Sequence, residues 1–176
     1  MKLKHKINYT AFMATSIDGR IACSSTSGID WTSKEDSNFY QKSLTKMDVV
    51  IVGYNTYKLA GRRNWKDAVV LTSRVNSFKK IDSKTFFLNP QRSNLKKFLH
   101  NKNYAKVAII GGGRVYDFCL RNKMIDKLFV TIEPYVFTTG ISMFSGDIFK
   151  KYKFYLQSIK KLNNKGTILL KYKYKN

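Results

Sequence analysis

Cysteine and proline are scarce in this 176-residue chain, which has two of each. The cysteines, Cys23 and Cys119, lie far apart and show no C-x-x-C spacing, so neither a disulfide framework nor a zinc site is expected. We interpret both as small apolar residues in the core, because free cysteine is most often buried. Only Pro90 and Pro134 interrupt the chain, and no internal repeat or Pro/Gly/Ser-rich linker marks a boundary. The sequence therefore predicts one domain over residues 1–176.

Long apolar runs are also missing. No segment approaches the roughly 18 to 20 consecutive apolar residues that a membrane-spanning helix needs. The first residues, MKLKHKINYTAFMATS, lack an apolar core followed by a cleavage site. We therefore expect a soluble, cytoplasmic protein with no membrane partner.

Acidic residues are few: 11 Asp and Glu stand against 33 Lys and Arg, which gives a formal net charge of +22. Such a surplus suggests nucleic-acid binding, because clustered cations release counterions from phosphate backbones. The lysines are spread along the chain, however, and no recognition motif, arginine-rich helix or basic tail accompanies them. The composition favours a solvated lysine surface whose field concentrates small polyanions. A nucleic-acid-binding module is kept as the alternative outside the enzymes.

What the sequence does contain is strands alternating with helices. Apolar runs, several continuous as in strands buried on both faces, predict strands at 8–16, 47–53, 67–73, 85–89, 106–112, 127–136, near 153–160 and at 167–174. Helices are predicted between them at 33–46, 55–61, 93–102 and 113–122. This alternation indicates an α/β domain with a largely parallel sheet. The last strand alternates apolar residues with lysines, which suits an antiparallel strand with one wetter face.

Four polar turns fall where ligands of such a sheet bind, beyond the carboxyl ends of strands and at helix N-termini. They are TSIDGRIA (15–22), DWTSKED (30–36), VGYNTYKLAG (52–61) and IIGGGRVY (109–116). Each alone fits an ordinary structural role, such as a turn at Asp18 or a helix cap at Thr32, Ser33 or Thr56. The glycine run also fails the G-x-G-x-x-G fingerprint, because Tyr116 stands where the third glycine is required.

Taken together and in order, these segments resemble the dihydrofolate reductase superfamily. The resemblance spans nearly the whole chain and rests on ATSIDGRIA, IDW, DVVIVGYNTYKLAG, VVLTSR, VAIIGGGRVYDFCL, MIDKLFVTIEPYVFTTGISMF and KGTILLKYKY. It is closest to stand-alone members related to the reductase domain of riboflavin biosynthesis. It implies a three-layer α/β fold with a mostly parallel central sheet, an antiparallel C-terminal strand and flanking helices, and it implies NADPH as the cofactor.

The resemblance also implies a cofactor site. Its residues would be Ala14, Asp18, Ile21, Ala22, Gly53, Thr56, Ser73, Arg74, Gly111, Gly112, Gly113, Arg114, Val115 and Tyr116. Asp18 to Ala22 would form the loop that closes over nicotinamide. Tyr54 stands where dihydrofolate reductases often carry an arginine for the 2′-phosphate of NADPH, which leaves Ser73 and Arg74 as its expected partners.

On the substrate side, the family's reductases hold a pterin with one carboxylate five residues after a tryptophan. Trp31 and Asp36 keep that spacing, and the resemblance implies that Asp36 and Thr131 are catalytic. One acid suffices because the cofactor delivers hydride, while the protein orients the ring and favours protonation of its nitrogen. Lys66 falls near the place where a folate tail carboxylate would be held. No metal is expected.

The resulting hypothesis is an NADPH-dependent reductase that transfers hydride to a C=N bond of a pterin-type substrate, with 7,8-dihydrofolate preferred. The alternative is the riboflavin-pathway reduction of 5-amino-6-(5-phosphoribosylamino)uracil, a pyrimidine substrate. Against that alternative, Ala60 and Ile110 stand where the riboflavin enzyme usually carries acids. The lysine-striped last strand is compatible with a homodimer contact and with solvent alike.

Overall fold

The computed structural model describes residues 6–24, 26–28, 30–60 and 65–175. The secondary structure within these ranges is, in chain order, β1 (Asn8–Thr15), β2 (Arg20–Ala22), α1 (Lys34–Leu44), β3 (Val49–Gly53), α2 (Tyr54–Ala60), β4 (Asp67–Leu71), β5 (Phe78–Lys80), β6 (Thr85–Leu88), α3 (Leu95–Asn101), β7 (Lys106–Ile109), α4 (Gly113–Arg121), β8 (Lys127–Ile132), β9 (Ile141–Ser142), β10 (Phe154–Lys161) and β11 (Ile168–Tyr174).

Nine of these strands form one sheet in the order β10-β11-β8-β1-β7-β3-β4-β6-β5. The six strands from β8 to β6 are parallel to their neighbours. The two C-terminal strands and the short β5 join antiparallel at the two ends. The predicted mostly parallel sheet with an antiparallel C-terminal strand is therefore confirmed.

Alternating side chains of the buried strands pack against helices on both faces of the sheet. Val49 and Ile51 belong to the apolar cluster that includes residues of α3 and α4. Val50 and Val52, one position along the same strand, belong to the cluster on the other face, with Leu44 of α1. This period of two explains the continuous apolar runs and makes the helix, sheet, helix arrangement three-layered, as predicted.

Several boundaries differ from the prediction. The strand predicted at 106–112 ends at Ile109, because the glycine turn follows, and the one predicted at 127–136 ends at Ile132, just before Glu133 and Pro134. The short strands β2, β5 and β9 were not predicted. The expectation that both cysteines are buried is wrong for Cys23, which is exposed directly after β2, whereas Cys119 is buried in α4.

The described ranges also bear on two other classes of protein. No helix within them is both long and apolar enough to cross a bilayer. No group of three or more His, Cys, Asp or Glu side chains in the same ranges is arranged to hold a metal ion.

Candidate functional site

A cleft of about 1660 Å³ opens along the side of the sheet that is formed by the carboxyl ends of the parallel strands. Its walls include Ala14 of β1, Gly53 of β3, Thr72 after β4, Ile110 after β7 and Thr131 of β8. This is the position at which parallel α/β sheets bind ligands. Every residue that the sequence assigned to a site lines this one cleft, except Asp18 and Lys66.

The glycine turn forms the floor of the cleft and leaves no space for side chains at two positions. Gly111 has φ +100°, and a Cβ there would lie 3.1 Å from the Tyr116 ring. A Cβ on Gly113 would lie 2.7 Å from the carbonyl oxygen of Ser142. Gly112 is different, because its φ is −70° and a Cβ would meet only the Thr56 hydroxyl, at 3.5 Å. The backbone at Gly112 thus faces open space in the cleft.

The amino end of α4 is open to the same space. Helix α1 is capped by the Ser33 side chain and α3 by Asn94, whereas the N-cap of α4 is Gly112, which makes no side-chain cap. The N-terminal turn of a helix carries unpaired N–H groups and a partial positive charge. An anion lying on Gly112 and Gly113 would therefore meet backbone donors and the positive end of α4.

One end of the cleft carries a stacked cation. The Arg74 guanidinium carbon lies 4.5 Å from the centre of the Tyr54 ring, within the range of a cation–π contact. Ser73 lies beside it, and both side chains are exposed at the mouth of the cleft. This end combines a guanidinium and a hydroxyl, the groups that favour a phosphate monoester.

The loop from Ser16 to Ala22 is fastened to the segment that contains β9. The Asp18 carboxylate accepts hydrogen bonds of 3.0 Å from the backbone N–H groups of both Phe137 and Thr138. Arg20 donates to the Ser142 hydroxyl at 2.8 Å. Asp18 therefore shapes the rim of the cleft instead of lining it, while Ile21 and Ala22 from the same loop do line it.

The opposite end of the cleft carries a buried carboxylate. Asp36, in the first turn of α1, is 8% exposed. Burial raises its pKa from the ordinary 3.8 to about 6; the Thr131 hydroxyl, which donates a hydrogen bond to it, opposes the rise, and the negative charge of Glu133 adds to it. Asp36 can therefore exchange a proton close to neutral pH.

Aromatic side chains line this apolar end of the cleft, which we call the slot. The rings of Phe12 and Phe129 stack with centroids 5.3 Å apart and planes inclined by 3°, and Phe39 packs at 5.4 Å from Phe129. Trp31 packs edge-on against Phe137 at 4.9 Å. Its buried indole N–H has no hydrogen-bond partner in the described part of the chain, so an acceptor entering from the cleft would satisfy it. The slot suits a planar heterocycle.

Charge divides the cleft into two ends. Among the described residues that line it, the charged ones are Asp30, Asp36, Arg74 and Arg114. The lysines of residues 6–24, 26–28, 30–60 and 65–175 therefore lie outside the cleft. Lys66 is among the residues left out: it is exposed, and it immediately precedes β4, at the amino end of that strand, away from the edge where the cleft opens.

Sequence reasoning missed Glu133. Its side chain is 1% exposed, and its carboxylate accepts hydrogen bonds from the Ser33 backbone N–H and the Thr167 hydroxyl, each at 2.7 Å. The signal was an acid standing directly after the buried strand β8 and before Pro134. A buried acid at such a point needs partners, which the sequence does not name.

Comparison with known families shows which family the chain belongs to. The sequence model of the RibD C-terminal domain matches residues 8–168. The chain belongs to the RibD C-terminal domain family. Its fold is that of the dihydrofolate reductase superfamily, as the order of the sequence motifs predicted. No curated protein sequence matches this RibD C-terminal domain significantly.

Solved structures share the fold at low sequence identity. A pyrimidine reductase-like protein from Corynebacterium diphtheriae is 17% identical, with TM-score 0.77 over 97% of this chain and 92% of that one. A diaminohydroxyphosphoribosylaminopyrimidine deaminase/5-amino-6-(5-phosphoribosylamino)uracil reductase from Thermotoga maritima is 17% identical, with TM-score 0.70 over 96% of this chain and 57% of that one. Dihydrofolate reductase from Enterococcus faecalis, complexed with NADP(H), is 17% identical, with TM-score 0.67 over 96% and 97% of the two chains.

Proposed function

We propose that this RibD C-terminal domain is an NADPH-dependent oxidoreductase that reduces a C=N bond of a pterin-type substrate, with 7,8-dihydrofolate as the first candidate. The observation that carries the proposal is the position of Asp36. This buried carboxylate lies in an aromatic slot at one end of a cleft whose floor is an uncapped glycine turn. A reductase that joins an anionic cofactor to a cationic or amidine-like ring needs this separation of charge.

The residues present fit a dinucleotide cofactor. Gly112 and Gly113, with the open amino end of α4, would hold its pyrophosphate, and Ser73 and Arg74 would hold a 2′-phosphate. Ala14, Ile21 and Tyr116 would surround the nicotinamide. NADPH supplies a hydride when bound. The Enterococcus faecalis dihydrofolate reductase, which shares the fold, was solved with NADP(H).

Asp36 orients the acceptor ring and handles its proton. As a carboxylate it pairs with adjacent ring N–H groups, while the Thr131 hydroxyl donates a hydrogen bond to the same carboxylate. Reduction of C=N places the hydride on the carbon and a proton on the nitrogen, so one proton is taken up. A pKa of about 6 lets the Asp36 site favour that protonation near neutral pH.

A second candidate is the reduction of 5-amino-6-(5-phosphoribosylamino)uracil, which family membership and the Thermotoga maritima neighbour favour. The lining of the cleft supports it less. Ala60 and Ile110, which occupy the positions where acids are usual in that enzyme, both line the cleft as apolar side chains. A pterin ring, in contrast, needs only the slot and Asp36.

The test is to follow NADPH absorbance with purified protein and three substrates: dihydrofolate, a dihydropterin without the glutamate tail, and the ribosylaminouracil phosphate. We expect oxidation with the first two, and a comparable KM for both, because Lys66 lies outside the cleft. The Asp36→Asn variant is expected to slow hydride transfer far more than it weakens NADPH binding. No oxidation with either pterin would reject the first candidate, and oxidation with the uracil compound alone would replace it by the second.

We propose that residues 1–176 act as one domain, because the long strands of the described ranges all join one sheet. We also propose that the physiological partners are small molecules, because the cleft-lining residues that the structure describes include no lysine and carry two acids against two arginines.

A further inference from the structure

Glu133 connects three elements next to the proposed catalytic acid. It follows β8 and lies two residues after Thr131, and its own backbone N–H continues the pairing with β1 by donating to the Thr15 carbonyl at 2.8 Å. One carboxylate oxygen accepts from the backbone N–H of Ser33, the N-cap of α1, and the other accepts from the Thr167 hydroxyl beside β11. The Glu133 side chain thus connects the end of β8 to the start of α1 and to the start of β11.

The tie reaches Asp36 through the helix cap. Ser33 uses its N–H for Glu133, while its hydroxyl accepts a hydrogen bond of 3.2 Å from the Asp36 backbone N–H. The first turn of α1, which carries Asp36, is therefore fixed by its cap, and the cap is fixed by Glu133. A small displacement of a reacting group is enough to slow catalysis strongly.

The hydrogen bonds around the Glu133 side chain all have Glu133 as the final acceptor. The Asn163 side-chain amide donates to the Thr167 hydroxyl at 2.9 Å and to the Glu35 carboxylate at 3.2 Å. Since the Thr167 oxygen already accepts from Asn163, its own proton is directed to Glu133. Both partners of Glu133 are thus donors, and its two oxygens serve as acceptors, as in a carboxylate.

We propose that Glu133 is a positioning residue for the reaction: it holds the cap of α1, and with it the Asp36 carboxylate, in place at the substrate slot, and it sets a second negative charge beside that carboxylate. The proposal rests on the proposed function. Glu133 does not line the cleft, so it acts through Ser33 and Asp36 and does not touch the substrate.

Other groups near Asp36 do not replace this charge. From α1 itself, Glu35 is exposed and bonded to Asn163. From α4, the buried Tyr116 hydroxyl faces this region but donates to the Phe12 carbonyl. From β11, the Lys171 ammonium lies 5.9 Å from the centre of the Phe129 ring. Among the described residues, Glu133 is the one whose charge raises the pKa of the Asp36 carboxyl.

The decisive variant is Glu133→Gln, which keeps the size of the side chain and removes its charge. Glu35→Gln is the matched control, because it removes the charge of a neighbouring exposed glutamate. With dihydrofolate we expect Glu133→Gln to slow single-turnover hydride transfer by roughly 10- to 100-fold, to leave NADPH affinity within about twofold, and to move the pH midpoint of the reaction to lower pH. Glu35→Gln should change none of the three. A rate and a midpoint equal to those of the wild type would overturn the proposal.

The Thr167→Val and Thr167→Ser pair keeps the proposal testable if Glu133→Gln does not fold. Valine removes one hydrogen bond and no charge, so hydride transfer should slow while the pH midpoint stays, and serine should restore the rate. A Thr167→Val enzyme as fast as the wild type contradicts the proposal.

A readout without substrate separates this proposal from the proposed function. Aspartate carboxyl carbons labelled with ¹³C report the titration of Asp36 by NMR, with Asp36→Asn used to assign the signal. We expect Asp36 to titrate at lower pH in Glu133→Gln than in wild type and in Glu35→Gln. Absence of turnover together with this shift would reject the substrate but not the position of Glu133, whereas an unchanged titration would reject the role of Glu133 whatever the substrate.

Discussion

The Arg74 guanidinium lies over the Tyr54 ring, 4.5 Å from its centre, and both residues line the cleft. Tyr54 begins α2 directly after Gly53, and Arg74 follows β4, so two neighbouring strands deliver the pair. Stacking fixes the plane of the guanidinium and leaves its edge N–H groups directed outward. The arrangement supplies an arginine to the cleft although the position after Gly53 is a tyrosine.

Arg74→Ala should therefore discriminate between the two nicotinamide cofactors. A charge-assisted hydrogen bond contributes about 1.5–3 kcal/mol, so we expect NADPH affinity to fall by roughly 10- to 100-fold and NADH affinity to change little. Titration of cofactor fluorescence measures both. Arg92→Ala is the control, because Arg92 is exposed, donates to Asn76 and does not line the cleft. An equal loss for both cofactors would place the 2′-phosphate elsewhere.

Two neighbouring glycines should respond differently to the same substitution. A Cβ on Gly112 meets only the Thr56 hydroxyl, at 3.5 Å, whereas one on Gly113 lies 2.7 Å from the Ser142 carbonyl oxygen. Gly112→Ala should thus keep the stability of the protein but weaken NADPH binding by about tenfold or more, since the methyl group occupies the path of the pyrophosphate. Gly113→Ala should lower the free energy of unfolding by about 1–3 kcal/mol.

Thermal unfolding and cofactor titration of both glycine variants check this pair. A Gly112→Ala protein that binds NADPH like the wild type would show that the glycine turn is only a connection between β7 and α4. The sequence alone could not separate these two meanings of the glycine run.

The parts of the fold that the sequence predicts are those with a regular period. Alternate residues of the runs around Val50 and Val69 belong to two apolar clusters, so each run is apolar throughout, and a short continuous apolar run bounded by turn residues is visible in the letters. Turn positions are equally local, so Gly53, Thr56 and Gly112 could be assigned to one edge of the sheet and do line one cleft.

What the sequence does not predict are contacts between distant segments. Glu133 finds Ser33 and Thr167, residues far from it along the chain, and no local period reports those distances. Lys66 is a different case: the resemblance implies a substrate contact there, while the side chain is exposed beside β4 and is not among the residues that line the cleft. The order of motifs along the chain indicates where the backbone passes, but it does not indicate where a long flexible side chain lies.

Asp36 should make the protein less stable at neutral pH than it would be with a neutral side chain. Its pKa is about 6 in the folded protein against an ordinary 3.8, so the folded state holds the proton more tightly and stability falls as pH rises between these two values. At neutral pH the cost is up to about 3 kcal/mol, from 1.36 kcal/mol per pKa unit. Asp36→Asn should remove that cost and stabilise the protein at pH 7.5 but not at pH 4.

Urea unfolding of both proteins at the two pH values measures the difference. The same variant should lose hydride transfer, so stability and activity move in opposite directions at this site. An Asp36→Asn protein destabilised equally at both pH values would mean that the Asp36 carboxylate is well solvated in the folded protein, and the pH midpoint of the reaction would then have another origin.

Asp18 should hold the rim of the cleft through its charge. The Asp18 pKa is lowered by hydrogen bonds that its carboxylate accepts. The largest effect comes from the Ser16 hydroxyl, and smaller ones come from the backbone N–H groups of Phe137 and Thr138. Because the pKa is lowered, these contacts stabilise the loop fully at pH values above the ordinary carboxyl pKa. This stabilisation is lost as the pH falls through the pKa of the folded state. Asp18→Ala should remove these contacts at every pH.

We expect hydrogen exchange at the Phe137 and Thr138 amides to become faster in Asp18→Ala, because both lose their acceptor, and NADPH to dissociate faster, because Ile21 and Ala22 line the cleft from the same loop. Asp30→Ala is the control, since Asp30 is an exposed acid that also lines the cleft. Protection of the two amides that is unchanged in Asp18→Ala would show that the Ile17 to Tyr135 and Gly19 to Met143 backbone hydrogen bonds fasten the loop by themselves. In that case the loop would be held by its backbone, and charge at Asp18 would have no part in how the cofactor is retained.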